Sequence, residues 1–289
     1  MTAVDSHAKS LAGKTDFSRR AFVGASLSTG FALATLPVSA ETISTDTVGI
    51  LVGDVEIPVK DGKIPGYRAM PDKGGRFATV LVVQEVFGVH EWIKDVCRRF
   101  AKLGYFAVAP YLYARLGDVT KITDMQEVVK FANRASEPQV LSDLDAAVAW
   151  ARGSGKADTS RMGVTGFCRG GRYVWLYAEH NPHLKAAVAW YGPLAMAKSE
   201  LTPVNPPDQI SALKVPVLGL YGAADQGIPV ADVEKFRDAL KAARKKCEFV
   251  IYPEAPHGFL ADYRPSYRPE AAADGWKRLQ AWFKSHGVA

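Results

Sequence analysis

The sequence predicts an α/β fold, with a mostly parallel sheet covered by helices on both faces. Short apolar runs of strand length alternate along the chain with longer segments whose apolar residues recur at helical spacing. Runs such as 217–221 are continuously apolar, as is typical of strands buried on both faces of a parallel sheet. With 289 residues and 48% hydrophobic content, the chain can bury one sizeable core, so one domain is expected over residues 41–289.

The predicted elements begin with a hairpin, residues 55–59 and 64–70, turned at Asp61-Gly62. Further strands are predicted at 77–84, 106–109, 162–165, 184–191, 217–221 and 247–252. Helices are predicted from Trp92 to just before Gly104, over 124–133 and 139–152, from Tyr173, over 230–240, and over 276–283. A Pro-rich loop over 192–215 separates two of the strands. This alternation of strands and helices is what favours the parallel sheet.

Cys168 stands between a predicted strand and a predicted helix, in Gly166-Phe167-Cys168-Arg169-Gly170. This matches the pattern glycine-x-nucleophile-x-glycine of a nucleophile elbow, with cysteine in the serine position. Glycine is needed on both sides because the turn is too tight for side chains there. The helix N-terminus that follows favours a thiolate and an oxyanion. The alternative is a buried cysteine in a glycine-rich turn.

Two later loops carry an acid and a histidine. Asp225 follows the strand at 217–221, and His257 follows the strand at 247–252. The chain order nucleophile, acid, histidine, each just past a strand, is that of an α/β-hydrolase triad. Taken singly, Asp225 could instead be an ordinary Asx-turn residue and His257 a loop histidine.

The chain resembles the dienelactone hydrolase family, the α/β-hydrolases with a Cys-Asp-His triad. The matching stretches are Gln84-Glu85-Val86-Phe87-Gly88, Gly104-Tyr105-Phe106-Ala107-Val108-Ala109-Pro110, Leu112-Tyr113-Ala114-Arg115, the Cys168 elbow, Tyr191-Gly192, the Asp225 loop and Pro256-His257-Gly258-Phe259. They extend from about residue 55 to the C-terminus. The resemblance implies an α/β-hydrolase fold and a hydrolase of carboxymethylenebutenolidase type. Such an enzyme cleaves a small carboxylic ester or lactone through a Cys168 thioester, without a cofactor.

The resemblance also implies roles around the triad. The backbone N–H groups of Val86 and Arg169 would form the oxyanion hole. Glu85 would contact the thiol in the resting enzyme and help to generate the thiolate when substrate arrives. A buried glutamate is costly unless it is paired, so the alternative for Glu85 is a salt bridge to Arg115 or Arg169.

Substrate-binding residues are implied less directly. The family's best-known members hold a substrate carboxylate with arginines, one of them just after the catalytic histidine. Four positions past His257 this chain has Ala261, and the nearby arginines are Arg264 and Arg268. We take Arg264, together with Arg115 and Tyr113, as the candidates for contact with substrate.

Charge and cysteine content exclude other classes of protein. The formal net charge is +6, with no basic block interleaved with aromatic residues, so a nucleic-acid partner is not expected. Nothing in the sequence pairs the three cysteines into disulfides. His180-x-x-His183 lacks further ligands, so no metal is predicted. The oligomeric state is left open.

Residues 1–40 resemble a twin-arginine export signal. Ser18-Arg19-Arg20-Ala21-Phe22-Val23 precedes a weakly hydrophobic run, and Val38-Ser39-Ala40 offers small residues to a signal peptidase. The prediction is a periplasmic or secreted protein without stable membrane association after cleavage. The alternatives are an uncleaved membrane anchor or a disordered basic arm, although the apolar run is short for a membrane span.

Two other functions stay open at this point. One is a periplasmic binding or interaction protein on an inactive hydrolase fold, and the other is a peptidase or acyltransferase on the same fold.

Overall fold

The structure, a computed structural model, describes residues 44–289. The predicted export signal and its predicted cleavage site lie outside these residues. The strands are β1 (Ile50–Val59), β2 (Gly62–Pro71), β3 (Phe77–Val83), β4 (Phe106–Pro110), β5 (Ala157–Phe167), β6 (Ala186–Trp190), β7 (Val217–Gly222) and β8 (Cys247–Tyr252).

The strands form one sheet in the order β1-β2-β4-β3-β5-β6-β7-β8. β1 pairs antiparallel with β2, and β2 antiparallel with β4, whereas the pairs from β4 through β8 are parallel. The mostly parallel sheet predicted from the sequence is therefore confirmed. Because parallel strands end at one edge, the loops after β3, β5, β7 and β8 meet there.

The hairpin that opens the domain has a two-residue turn, with Val59 paired to Gly62. Gly62 adopts a φ of 141°, which residues with a side chain rarely reach. Both strands are longer than predicted, since β1 continues back to Ile50 along the edge of the sheet. Gly53 and Asp54 interrupt the apolar pattern of β1, and both residue types are rare in strands, so the pattern marks only the later part of this strand.

The helices are α1 (Glu91–Lys102), α2 (Met125–Ala132), α3 (Glu137–Gly153), α4 (Arg169–His180), α5 (Val230–Ala242) and α6 (Pro269–Ser285). On one face of the sheet, Phe100 of α1 packs against Trp276 of α6 with ring centroids 5.0 Å apart. On the other face, Trp175 of α4 packs against Phe236 of α5 at 4.9 Å. Burial of each large apolar side chain contributes about 1.5–3 kcal/mol.

The described residues contain no helix that is both long and apolar enough to cross a membrane. The Pro-rich segment predicted over 192–215 is irregular apart from single 3₁₀ turns at Pro206–Asp208 and Ile210–Ala212.

Candidate active site

Cys168 occupies the turn between β5 and α4. Its φ is 55°, a left-handed conformation that is strained for a residue with a side chain. A Cβ atom at Gly166 would lie 2.6 Å from the carbonyl oxygen of Gly170, and one at Gly170 would overlap the carbonyl oxygen of Val83. The strand, tight turn and helix predicted around this cysteine are present. α4 begins at Arg169, one turn earlier than Tyr173, because its first turn carries glycines rather than an apolar pattern.

Asp225 and His257 meet across the loops that follow β7 and β8. His257 Nδ1 lies 2.7 Å from Asp225 Oδ2. The other carboxylate oxygen, Oδ1, accepts the backbone N–H groups of Gly227 at 2.8 Å and Ile228 at 3.2 Å. Asp225 is thus both a turn-forming residue and the partner of the histidine. Those N–H bonds hold the carboxylate in position to orient the imidazole.

The second ring nitrogen of His257, Nε2, is not used by Asp225. Nε2 is buried and has no hydrogen-bond partner within residues 44–289. Burial disfavours the charged ring, but the carboxylate of Asp225 and the sulfur of Cys168 outweigh burial, so the pKa of His257 lies well above its ordinary value. The histidine can therefore hold the proton that Cys168 releases.

Tyr191 forms one wall behind the histidine. Its ring meets the imidazole of His257 edge-on, with centroids 5.1 Å apart, and its φ is 38°. The side chain is fully buried. A strained, buried aromatic residue in this position restricts the rotation of His257.

The predicted oxyanion donors lie beside the thiol. Val86, Cys168 and Arg169 line the same cavity. Arg169 is the first residue of α4, so its N–H has no acceptor within the helix. Val86 lies in the turn closed by the Gly88 N–H bond to the carbonyl of Glu85, 3.3 Å long. The role of these two N–H groups remains a prediction.

Glu85 differs from both expectations for it. Its carboxylate is fully buried and forms hydrogen bonds with Arg264 Nη2 at 2.9 Å, the Tyr263 hydroxyl at 2.8 Å and His90 Nε2 at 3.2 Å. Neither Arg115 nor Arg169 is its partner, and within residues 44–289 no hydrogen bond joins it to Cys168. The reason is that the chain after His257 places Tyr263 and Arg264 next to the carboxylate of Glu85.

Those partners fix the charge of Glu85. Burial by itself raises the pKa of this carboxyl, but Arg264, His90 and Tyr263 outweigh burial and lower the pKa to about 2. Glu85 is therefore a carboxylate over the whole physiological pH range, and it neutralises Arg264.

One of the three candidate substrate-binding residues, Arg115, lies away from the cavity. Arg115 bridges Asp61 and Asp143, with its shortest contact to each at 2.6 Å, and does not line the cavity at Cys168. This placement contradicts the predicted contact of Arg115 with substrate, because motif position could not show that Arg115 is held by two carboxylates.

Tyr113 is buried and packs edge-on against Phe131, and the charges of Arg169 and Cys168 act on its hydroxyl. Its contact with substrate stays a prediction. Arg264 does line the cavity.

The cavity in front of the triad has a volume of about 450 Å³, within the range typical of small-molecule sites. Its wall is mostly apolar, and it includes three polar side chains to which no sequence signal pointed: Asn133, Gln226 and Ser266. These residues come from separate loops and carry no shared motif.

A cysteine in a strand-turn-helix elbow, with a histidine–aspartate pair on the same edge of a mostly parallel sheet, is the arrangement of an α/β-hydrolase. The sequence profile of the dienelactone hydrolase family matches residues 64–287. The chain belongs to that family, as the resemblance predicted, and it is a hydrolase.

Relatives support this assignment over nearly their whole length. A protein of Methylorubrum extorquens provisionally named carboxymethylenebutenolidase is 62% identical over all of both chains. One of Escherichia coli K12 with the same provisional name is 47% identical, over 89% of this chain and 96% of its own. A crystal structure provisionally titled dienelactone hydrolase, from Klebsiella pneumoniae, is 49% identical with a TM-score of 0.79, covering 81% of this chain and 98% of its own.

Proposed function

We propose that this protein hydrolyses carboxylic esters or lactones through a thioester at Cys168. The observation that carries the proposal is the free Nε2 of His257, which is oriented by Asp225 and opens on the same cavity as the thiol. A nucleophile, a base and a group that orients the base are the three parts that acyl transfer requires. The provisional names of the relatives favour a lactone as substrate.

The chemistry follows from these positions. His257 takes the proton of Cys168, and the thiolate attacks the substrate carbonyl carbon. The N–H groups of Val86 and Arg169 bind the oxyanion, the carbonyl–oxygen bond of the ester breaks, and the imidazolium gives its proton to the leaving alkoxide. In the second half, His257 deprotonates a water that attacks the thioester, which releases the acid and restores the thiol.

The test uses the full chain as wild type and as Cys168→Ala, with Cys247→Ala as the matched control. Short aryl esters and a cis/trans pair of dienelactones serve as substrates, and intact mass spectrometry looks for an acyl adduct. We expect turnover and an adduct in the wild type and the control. In Cys168→Ala the adduct should be absent and the rate lower by at least roughly 10⁴-fold.

Retained turnover in Cys168→Ala would refute the thioester. Absence of turnover and adduct on every ester and lactone in the wild type would refute the hydrolysis proposed here. The ratio of lactone to ester rates then shows which of these two substrate classes the enzyme prefers.

We also propose export by the twin-arginine route, on the basis of Arg19 and Arg20 and the small residues that end at Ala40. Replacing both arginines by lysine should leave the protein in the cytosolic fraction, whereas the unaltered chain should be recovered outside it and shortened. An unaltered chain that stays cytosolic at full length would refute this proposal.

A further inference from the structure

Strand β8 forms one outer edge of the sheet, and no strand within residues 44–289 pairs with its outer side. It is the last strand in the sheet order and pairs only with β7. The residues Cys247–Tyr252 are apolar or aromatic apart from Glu248, and all but Glu248 are half-buried. A free edge made of β-branched and aromatic residues is a template to which another strand can add.

The opposite edge of the sheet, β1, is protected against such addition. Asp54, Glu56 and Pro58 have exposed side chains on this strand. Charged residues and proline block a sheet edge, because a charge resists burial and proline lacks the N–H group that a partner strand would need. Within β8 the only residue of these types is Glu248. Of the two edges, β8 is therefore the one open to a partner strand.

The backbone of β8 directs alternate residues outwards. The carbonyl groups of Lys246 and Tyr252 accept N–H groups from β7 and the residue after it, at 3.1 and 2.8 Å. In a parallel pair, residues that bond to the neighbouring strand alternate with residues whose N–H and C=O groups point away from it. Phe249 and Ile251 are therefore the outward residues of β8, and no other segment within residues 44–289 bonds to their backbone groups.

The two ends of this edge carry opposite charges. A hollow of about 480 Å³ lies between the start of β8 and α6, and beside Glu248 it is lined by the basic residues Lys245, Lys246, Arg278 and His286. A second hollow of about 680 Å³ lies between the end of β8 and α6, and beside Arg268 it is lined by the acidic residues Glu254, Glu270 and Asp274. Lys246 and Glu254 are both exposed, and within residues 44–289 neither forms an ion pair. Antiparallel pairing of two identical edges would bring the basic end of one copy to the acidic end of the other.

We propose that β8 is a dimerisation edge, at which two copies of this chain pair antiparallel and join their sheets into one, independently of the proposed thioester chemistry. The outward groups and the charges fix the register. With Val250 on the twofold axis, Phe249 lies opposite Ile251 of the second copy, so their outward N–H and C=O groups can bond. The same register places Lys246 opposite Glu254 of the second copy, where opposite charges stabilise the pairing. A twofold interface contains this ion pair twice.

The first test reverses these two charges. Sedimentation velocity of the full chain over a range of micromolar concentrations gives the dimer dissociation constant of the wild type, of Lys246→Glu, of Glu254→Lys and of an equimolar mixture of the two variants. The control is Lys60→Glu, the same charge change at an exposed lysine beside the opposite edge. Because Lys246 and Glu254 are exposed, neither change should disturb folding, which circular dichroism checks.

We expect the wild type to dimerise. In each single variant the dissociation constant should rise by roughly 10- to 100-fold, because two attractive pairs become two repulsive ones. The mixture should associate like the wild type, since the heterodimer regains both opposite-charge pairs, and Lys60→Glu should have no effect. A monomeric wild type, which would leave the edge to a strand from another protein, would overturn the inference. So would single variants that dimerise normally or a mixture that does not recover.

A second test reports on the register. The N–H and C=O groups of Val250 face β7, so two copies of this residue would form a non-hydrogen-bonded pair with Cα atoms about 4.5 Å apart, within the range that a disulfide spans. Val250→Cys should therefore give a covalent dimer on mild oxidation, seen by non-reducing gel electrophoresis. Glu248→Cys, which would lie opposite Tyr252 of the second copy, should stay monomeric on the gel, as should the wild type. Equal cross-linking of the two variants, or none in Val250→Cys, would overturn the inference.

Discussion

Both ends of helix α4 lie beside a thiol and a buried carboxyl group, but the surroundings of these groups differ. At its N-terminus lie Cys168 and, beside the neighbouring turn, Glu85. At its C-terminal end lie Glu179 and the nearby Cys247. Each pair combines a thiol with a buried carboxyl, so the chemical types alone do not distinguish them.

The difference lies in their partners. Glu85 has an arginine, a histidine and a tyrosine, which lower its pKa to about 2. Neither oxygen of Glu179 has a hydrogen-bond partner within residues 44–289, and burial raises its pKa to about 9, with Arg172 offsetting only part of this effect. Because Arg172 is already paired with Glu137, it stabilises a charged Glu179 only weakly. Burial likewise raises the pKa of Cys247 to about 12.

Burial alone therefore produces neutral, inert groups, and specific cations are needed to keep a buried carboxylate charged. The N-terminal end of α4, where Cys168 lies, has them, together with a histidine–aspartate pair. The other end does not, which leaves Cys247 as a thiol rather than a nucleophile.

The largest expected effect comes from Asp225→Asn. The change removes the carboxylate that orients His257 and raises its pKa, so we expect kcat on aryl esters to fall by roughly 10⁴-fold. The matched control is Asp145→Asn, whose carboxylate lies 2.7 Å from His180 on the surface. A loss of less than tenfold in Asp225→Asn, with the fold intact by circular dichroism, would show that the pair is only structural.

Glu85→Gln should cost the next largest amount, about 3–5 kcal/mol of unfolding free energy at pH 7, because it leaves Arg264 buried without its counter-charge. The folded pKa of Glu85 is lowered from 4.5 to about 2. Its stabilisation is therefore present above pH 4.5 and is lost as the pH falls towards 2. Urea denaturation between pH 7 and pH 2 should show the wild type and the variant converging within that window. Parallel curves would contradict the assignment.

Glu179→Gln is the same chemical change with the opposite expected sign. Because the folded pKa is raised from 4.5 to about 9, the contribution of Glu179 is present below pH 4.5 and is lost as the pH rises towards 9. Glutamine keeps the neutral form, so the variant should be about 1–3 kcal/mol more stable than the wild type at pH 8 and similar to it at pH 4. Destabilisation at pH 8 would mean that Glu179 has a cationic partner in solution and that the two ends of α4 are alike.

Much of the fold could be predicted from the sequence, because the patterns that indicate strands, helices and turns involve residues close together in the chain. Apolar runs and helical spacing marked the strands of the parallel region to within a few residues, and the glycines around Cys168 marked the elbow. The least accurate bounds were the starts of β1, β5 and α6, which lie five, five and seven residues before their predicted positions, because small, polar or charged residues interrupt the apolar pattern there.

The sequence by itself determined the fold class, the family and the order of Cys168, Asp225 and His257, because each depends on residues that are close together in the chain or on strand ends that a parallel sheet brings to one edge. Only the tertiary structure decided which charges are paired. Glu85 pairs with Arg264, which lies 179 positions further along the chain, and Arg115 pairs with Asp61 and Asp143. Within residues 44–289, no carboxylate forms an ion pair with Arg169. Ion pairing depends on distances of a few ångströms between distant segments, and no spacing along the chain encodes such distances.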